Sequence, residues 1–129
     1  MDETWALEED FWRAGTVDGS NVQAYYARVL TSDAFVVVPG RVLAREQLLR
    51  QWDGRRPWAW YEITDRRTIL VNDQTVVLSY RVAASSPNTP RYEAQVTSVY
   101  TRVGAWALAF RQHTPSAWDE HADDADPAQ

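Results

Sequence analysis

Few side chains in this 129-residue chain could carry chemistry, and the missing types narrow the field first. Cysteine is absent, which removes thiol nucleophiles, thiolate metal sites and disulfides. All 13 basic residues are Arg, so Schiff-base chemistry and a Walker-type phosphate loop are excluded as well. Two histidines remain, His113 and His121. As a general base His113 would need a carboxylate or a nucleophile beside it, and its sequence neighbours supply neither. His121 opens an acidic tail and has no specific role. No group of His, Asp and Glu has metal-ligand spacing, and neither a metal nor a cofactor is expected. Asp65 and Glu93 fall inside extended segments, where such acids pair with cross-strand Arg (Arg67, Arg81 or Arg91 here) and contribute little. The unusual reserve is aromatic: seven Trp, six Tyr and three Phe, more than a surface can hold. Much of it must be core, and some can line a cavity. The densest group, Trp58-Ala59-Trp60-Tyr61, suits a cavity rim, an interface anchor or ordinary core at the start of a sheet.

The elements that must position these side chains follow from the spacing. Thr4 is placed to cap a first helix, with Glu8 and Glu9 near its first turns and Leu7, Phe11 and Ala14 on one face, flanked by Trp5 and Trp12. Gly15 and Asp18-Gly19 end it. Ser20 caps a second helix through Leu30, with Val22, Tyr26, Val29 and Leu30 as its apolar face. The β-branched run Ala34–Val38 predicts a short buried strand stopped by Pro39-Gly40. Ala44–Trp52 predicts a shorter third helix, followed by a loop over Asp53–Pro57. Four long strands come next: Tyr61–Val71, Gln74–Ala84, Arg91–Val103 and Ala105–Thr114. Their breaks carry turn chemistry at Asn72-Asp73, Ser86–Pro90 and Gly104. The order α-α-β-α-β-β-β-β without βαβ alternation is α+β, with helices packed in the concave face of a strongly curved, mostly antiparallel sheet.

The length suits one domain, read as residues 1–116, with 117–129 as an acidic, disordered tail. A net charge of −5 with scattered Arg argues against nucleic acid or anionic membrane as a partner. The acidic start has no signal-peptide pattern, and no apolar run approaches a membrane span, so a cytoplasmic location is expected.

A resemblance is carried by several dispersed motifs taken in order. They are Glu9-x-Phe11-Trp12-x-Ala14, Asp33…Val38-Pro39-Gly40, Arg45-Glu46-x-Leu48-Leu49, Val76-Val77-x-x-Tyr80-Arg81, Thr97-x-Val99-Tyr100-x-Arg102, Trp106-x-Leu108 and Gln112–Pro115. From about Leu7 to Pro115 the chain resembles the nuclear-transport-factor-2-like superfamily, the cystatin-like α+β cone, and within it the SnoaL-like small bacterial proteins. That superfamily spans isomerases, cyclases, dehydratases, hydrolases and non-catalytic association domains, so the resemblance implies a fold and not an activity. Where its steroid isomerases carry a general-base carboxylate, this chain has Val38. Where they hold an enolate oxygen with a helix-one tyrosine and a strand acid, it has Asp10 or Phe11, and Thr97. Steroid-isomerase chemistry is therefore excluded, and the hydrolase Asp-Arg-Asp arrangement is not evident.

The resemblance turns Val38 towards the cavity, and period-two alternation then sets the remaining strands. Val76, Leu78, Tyr80 and Val82 would face in, with Gln95, Thr97, Val99 and Thr101 beside them and Trp106, Leu108, Phe110 and Gln112 on the last strand. The expected pocket is an apolar chamber lined by Trp12, Tyr26, Val38, Tyr80, Gln95, Thr97 and Gln112, suited to a small apolar ligand. A one-residue slip would exchange every inward side chain for its neighbour. Alternation puts His113 outside, with Arg81, Ser98, Tyr100 and Arg111. The resemblance implies that this outer face forms a homodimer contact. The leading reading is small-molecule binding without an assigned reaction. The alternatives are a cofactor-independent isomerase, cyclase or dehydratase acting on an apolar substrate, and a dimeric association module.

Overall fold

Burial recurs along the first segment at Thr4, Glu8, Phe11, Trp12 and Gly15, the spacing of one helix face. In the computed structural model, which describes residues 2–17, 19–51, 57–86 and 91–116, this is helix α1, Asp2–Gly15. It begins ahead of Thr4, which is therefore a buried residue of the first turn and not its cap. Gly15 closes it where no larger residue fits: a Cβ there would lie 2.9 Å from Trp58 Cδ1. The Trp58 N–H also donates to Gly15 O at 2.8 Å.

Helix α2 (Gly19–Val29) stops one residue sooner than its apolar face predicts, because Leu30 already begins strand β1 (Leu30–Val38). The turn at Gly40, with φ of +76°, leads into β2 (Arg41–Ala44), a short strand that the sequence reading did not anticipate. Three of its four residues are exposed, so it lacks an apolar signal. Helix α3 (Arg45–Gln51) follows, packed on β1, β2 and α2. The expected anchor Trp52, most of the 53–57 loop, most of the 86–90 turn and the 117–129 tail lie outside the described residues.

The four long strands are β3 (Trp60–Asn72), β4 (Thr75–Ser85), β5 (Tyr92–Val103) and β6 (Ala105–Pro115). With the first two they form a six-stranded sheet in the order β2-β1-β6-β5-β4-β3, antiparallel except for the parallel pair β1–β6. The α+β architecture, helices against one face of a mostly antiparallel sheet, is as expected.

Two irregularities decide which side chains reach the interior. In β6 the register shifts beside Ala109: Val99 pairs with Phe110, but Tyr100 pairs with Leu108. The extra residue reverses the alternation, so Leu108 is buried before it while Arg111 and His113 are buried after it. In β3 a second bulge leaves Asp65 at φ 54° between Thr64 and Arg67. There Arg66 turns back towards α1, 3.5 Å from Glu9 and with its guanidinium 4.7 Å from the Trp5 ring centroid.

The inward faces are Val76, Leu78, Tyr80, Val82 and Ala84 on β4, as expected, and Tyr92, Ala94, Val96, Ser98 and Tyr100 on β5. The β5 assignment is a correction. Gln95 is exposed and bonded to Ser79 Oγ, and Thr97 is half-buried on the same outer side. Conversely, Ser98, Tyr100, Arg111 and His113 are inside, so of the residues expected on the outer face Arg81 alone is found there, paired with Glu93 at 3.0 Å. That outer face instead carries an apolar row running directly across five strands: Phe35, Phe110, Val99, Val77 and Ile69, each in register with the next.

Candidate functional site

At the centre of the interior a carboxylate and a guanidinium meet with no access to water. Glu8 comes from the inner face of α1, Arg111 from β6 beyond its bulge, and both side chains are 0% exposed. Arg111 Nη2 donates to Glu8 Oε1 at 2.8 Å, and the Tyr100 hydroxyl donates to the same oxygen at 2.6 Å. The other oxygen, Oε2, accepts from Ser98 Oγ at 2.8 Å and from the Tyr80 hydroxyl. The donors are themselves held. Trp12 Nε1 donates to the Tyr80 oxygen at 2.8 Å, and Arg111 Nε donates to Ser98 Oγ at 3.1 Å. Arg111 Nη1 donates to the Tyr26 oxygen at 2.9 Å, and the Tyr25 and Tyr100 hydroxyls lie 3.2 Å apart. The Phe11 ring sits under the guanidinium, 4.1 Å from its carbon.

The electrostatics follow from this closure. Burial alone would raise the Glu8 pKa, but the Arg111 charge and the hydrogen bonds from Arg111, Tyr100 and Tyr80 outweigh it, and the net direction is down. Burial and the Glu8 charge hold the Tyr80 and Tyr100 hydroxyls well above their ordinary range, so both stay protonated as donors. Burial opposes the Arg111 charge, yet Glu8 and the surrounding tyrosines keep it ionised. A carboxylate with four donors on its two oxygens has no free lone pair aimed at a substrate, and its lowered pKa makes it a poor base at neutral pH.

His113 is different. It lies in an aromatic box, with the rings of Trp12, Tyr92 and Phe11 at 5.9, 6.2 and 6.4 Å between centroids. Trp58 stacks on Tyr92 at 6.0 Å and Tyr61 stands 6.2 Å from Trp12, whereas Trp60 is exposed beneath Arg91. The 58–61 cluster is thus split between core and surface. Burial, with Arg111 repulsion added, pushes the His113 pKa down to about 3, so the ring is neutral. Its Nδ1 is 3.0 Å from the Tyr92 hydroxyl, and its Nε2 is buried without a hydrogen-bond partner among the described residues. In either tautomer Nε2 keeps one unused position: a donor when the Tyr92 O–H donates to Nδ1, an acceptor when the Nδ1–H donates to the Tyr92 oxygen.

His113 also lines a cleft of about 360 Å³ at the edge of the box. The parallel pairing of β1 and β6 ends at Val37–Gln112, and beyond it the cleft is walled by Val38, Pro39, Gly40, Gln112 and Thr114. The expected pocket residues therefore separate into groups. Trp12, Tyr26 and Tyr80 are interior parts of the polar network and Val38 is buried beside the cleft, whereas Gln112, which the bulge turns outward although it borders the cleft, shares the outer face with Gln95 and its cross-strand partner Thr97. Glu8, Arg111 and the inward position of His113 were missed. A charged residue four before Trp12 and three before Phe11 was a readable signal for Glu8. Nothing in Ala107–Phe110 announces the bulge. Among the described residues no group of His, Asp and Glu could hold a metal, and no helix is long and apolar enough to cross a membrane.

Solved structures share this architecture. An NTF2-like protein from Cytophaga hutchinsonii superposes with a TM-score of 0.75 at 16% identity, covering 88% of this chain and 96% of its own. An NTF2-like protein of unknown function from Pseudomonas aeruginosa gives 0.71 at 23% identity, with 90% and 97% covered. A hexachlorocyclohexane dehydrochlorinase gives 0.66 at 14%, with 91% and 88% covered. No protein-family model and no curated protein matches the chain. The fold is thus NTF2-like and cystatin-like, and identities this low leave the chemistry to the residues.

Removing one partner of the central pair strands the other charge in the interior. Glu8→Gln should therefore destabilise the fold by about 3–5 kcal/mol in urea unfolding, while joint replacement of Glu8 and Arg111 by Met should cost less than either single change. Acid should act through two groups. Unfolded His113 takes up a proton near 6.5 and the folded form only near 3, so the unfolded state binds more protons in that window and stability is lost as pH falls through it. Glu8 adds a further loss below its ordinary 4.5. The melting temperature should fall between pH 6.5 and 4.5, and His113→Phe should flatten that slope; a flat wild-type profile there would contradict the assignment.

Proposed function

We propose that this chain binds a small, mostly apolar molecule at the His113 box, entered from the cleft between β1 and β6, and supplies no acid–base group of its own. The observation that carries this reading is the unpartnered Nε2 of His113 among aromatic rings. A buried polar atom without a partner is costly, and a ligand hydroxyl or carbonyl would satisfy it. The rings of Trp12, Trp58 and Tyr92 supply the apolar contact, and Val37, Val38 and Pro39 line the cleft that leads to it. Binding is favoured over an isomerase- or dehydratase-type reaction on two grounds. The Glu8 carboxylate is occupied by its own donors, and His113 is a weak base with no carboxylate bonded to it among the described residues.

The working form is proposed to be a homodimer through the outer sheet face. The support is the in-register row Phe35, Phe110, Val99, Val77 and Ile69, with Phe35 still 42% and Ile69 60% exposed. A row of this kind on both copies would suit an isologous contact of roughly 800 Å² per partner.

Titration of tryptophan fluorescence with 2-naphthol tests the first reading. Wild type should bind saturably, and His113→Phe should weaken binding roughly five- to tenfold, as expected for one lost hydrogen bond. Equal affinity in the variant would remove His113 from the site. Light scattering behind size exclusion tests the second: wild type should run at twice the chain mass, and Val99→Asp should give the monomer mass with an unchanged far-ultraviolet spectrum.

A further inference from the structure

The opposite end of the sheet, away from His113, carries a second cleft of about 560 Å³ where the first turns of α1, the last turn of α2 and the β5–β6 hairpin meet. We propose that it is a separate binding site for an organic monocarboxylate with an apolar body. Its walls include Leu7, Val29 and Trp106, and its charged members are Arg28, Arg102 and Glu3. Both guanidiniums are positioned by rings, Arg28 at 5.8 Å from the Tyr25 centroid and Arg102 at 5.4 Å from that of its cross-strand partner Trp106. Ring contact of this kind leaves the in-plane N–H donors of an arginine available. Neither arginine forms an ion pair among the described residues, although four other arginines outside the buried centre do.

Charge and chemistry select the ligand. Two guanidiniums against the single carboxylate of Glu3 leave one positive charge on the cleft, within a chain of net charge −5. One negative charge balances it, which favours a monocarboxylate over a doubly charged phosphate ester. Trp106, whose side chain walls the cleft, adds an independent sign: its Nε1–H is buried and has no hydrogen-bond partner among the described residues. A carboxylate is an acceptor only, so it suits a site made of unused donors. The apolar walls then take the remainder of the molecule.

The test is nuclear magnetic resonance of the nitrogen-15-labelled full chain, with benzoate as probe and benzamide as its uncharged counterpart. The Trp106 indole cross-peak is identified by its loss in Trp106→Phe. Benzoate should move that peak along a saturating curve, benzamide should bind at least tenfold more weakly, and Arg102→Gln should weaken benzoate at least tenfold without altering the melting temperature. Three results would overturn the proposal: no saturating shift, identical titrations with the two probes, or unchanged benzoate binding in Arg102→Gln. None of these bears on His113, so the two sites succeed or fail separately.

Discussion

A single buried ion pair organises the molecule. Glu8 and Arg111 are 103 positions apart in the chain and meet at 2.8 Å where neither touches water. Such a pair is tolerable in the interior only when its remaining hydrogen-bonding positions are filled. That requirement fixes hydroxyls from three different elements around it: Tyr80 on β4, Ser98 and Tyr100 on β5, and Tyr26 on α2. The pair therefore sets the height and rotation of α1 on the sheet more tightly than apolar packing alone could, because a helix shifted by one turn would leave a charge unmatched.

The same saturation limits what the interior can do. Polar groups that spend their donors and acceptors on one another are scaffold, and reactivity needs a group with something left over. Among the described residues the buried polar atoms left over lie away from this pair: His113 Nε2 at one end of the sheet, Trp106 Nε1 at the other, and Arg45 Nε at the start of α3. The centre of the interior is filled by the Glu8–Arg111 network, and the unused hydrogen-bonding capacity lies outside it.

The legible part of the structure was the part written in periodicity. Helices α1 and α2, strand β4 and the long β5 and β6 were all readable, because apolar spacing and turn residues agree along them. The inward face of β5 was readable too. Tyr92, Ala94, Val96 and Tyr100 alternate with Glu93, Gln95, Thr97 and Thr101, and the charged and amide-bearing set belongs to solvent; family analogy at Thr97 pulled the assignment to the wrong face. The inward turn of Arg111 and His113 was not readable. It depends on one extra residue at Ala109, in a stretch without glycine or proline, and a bulge there is set by how β5 and β6 twist against each other. Glu8 lay between these cases, an acid in the middle of an aromatic face whose partner could not be named until the strand was folded.

The bulge at Asp65 has a consequence beyond the direction of Arg66. Strand β3 is thirteen residues long and stands at the free margin of the sheet, the kind of margin on which another chain could template itself. With a left-handed residue near its middle, its continuous ladder on β4 is cut into runs of five and four residues, Trp60–Thr64 and Arg67–Leu70. Neither run is long enough to nucleate a cross-β stack readily. A local kink in one strand thus guards the molecule against fibril growth at the edge where its backbone is most exposed to recruitment.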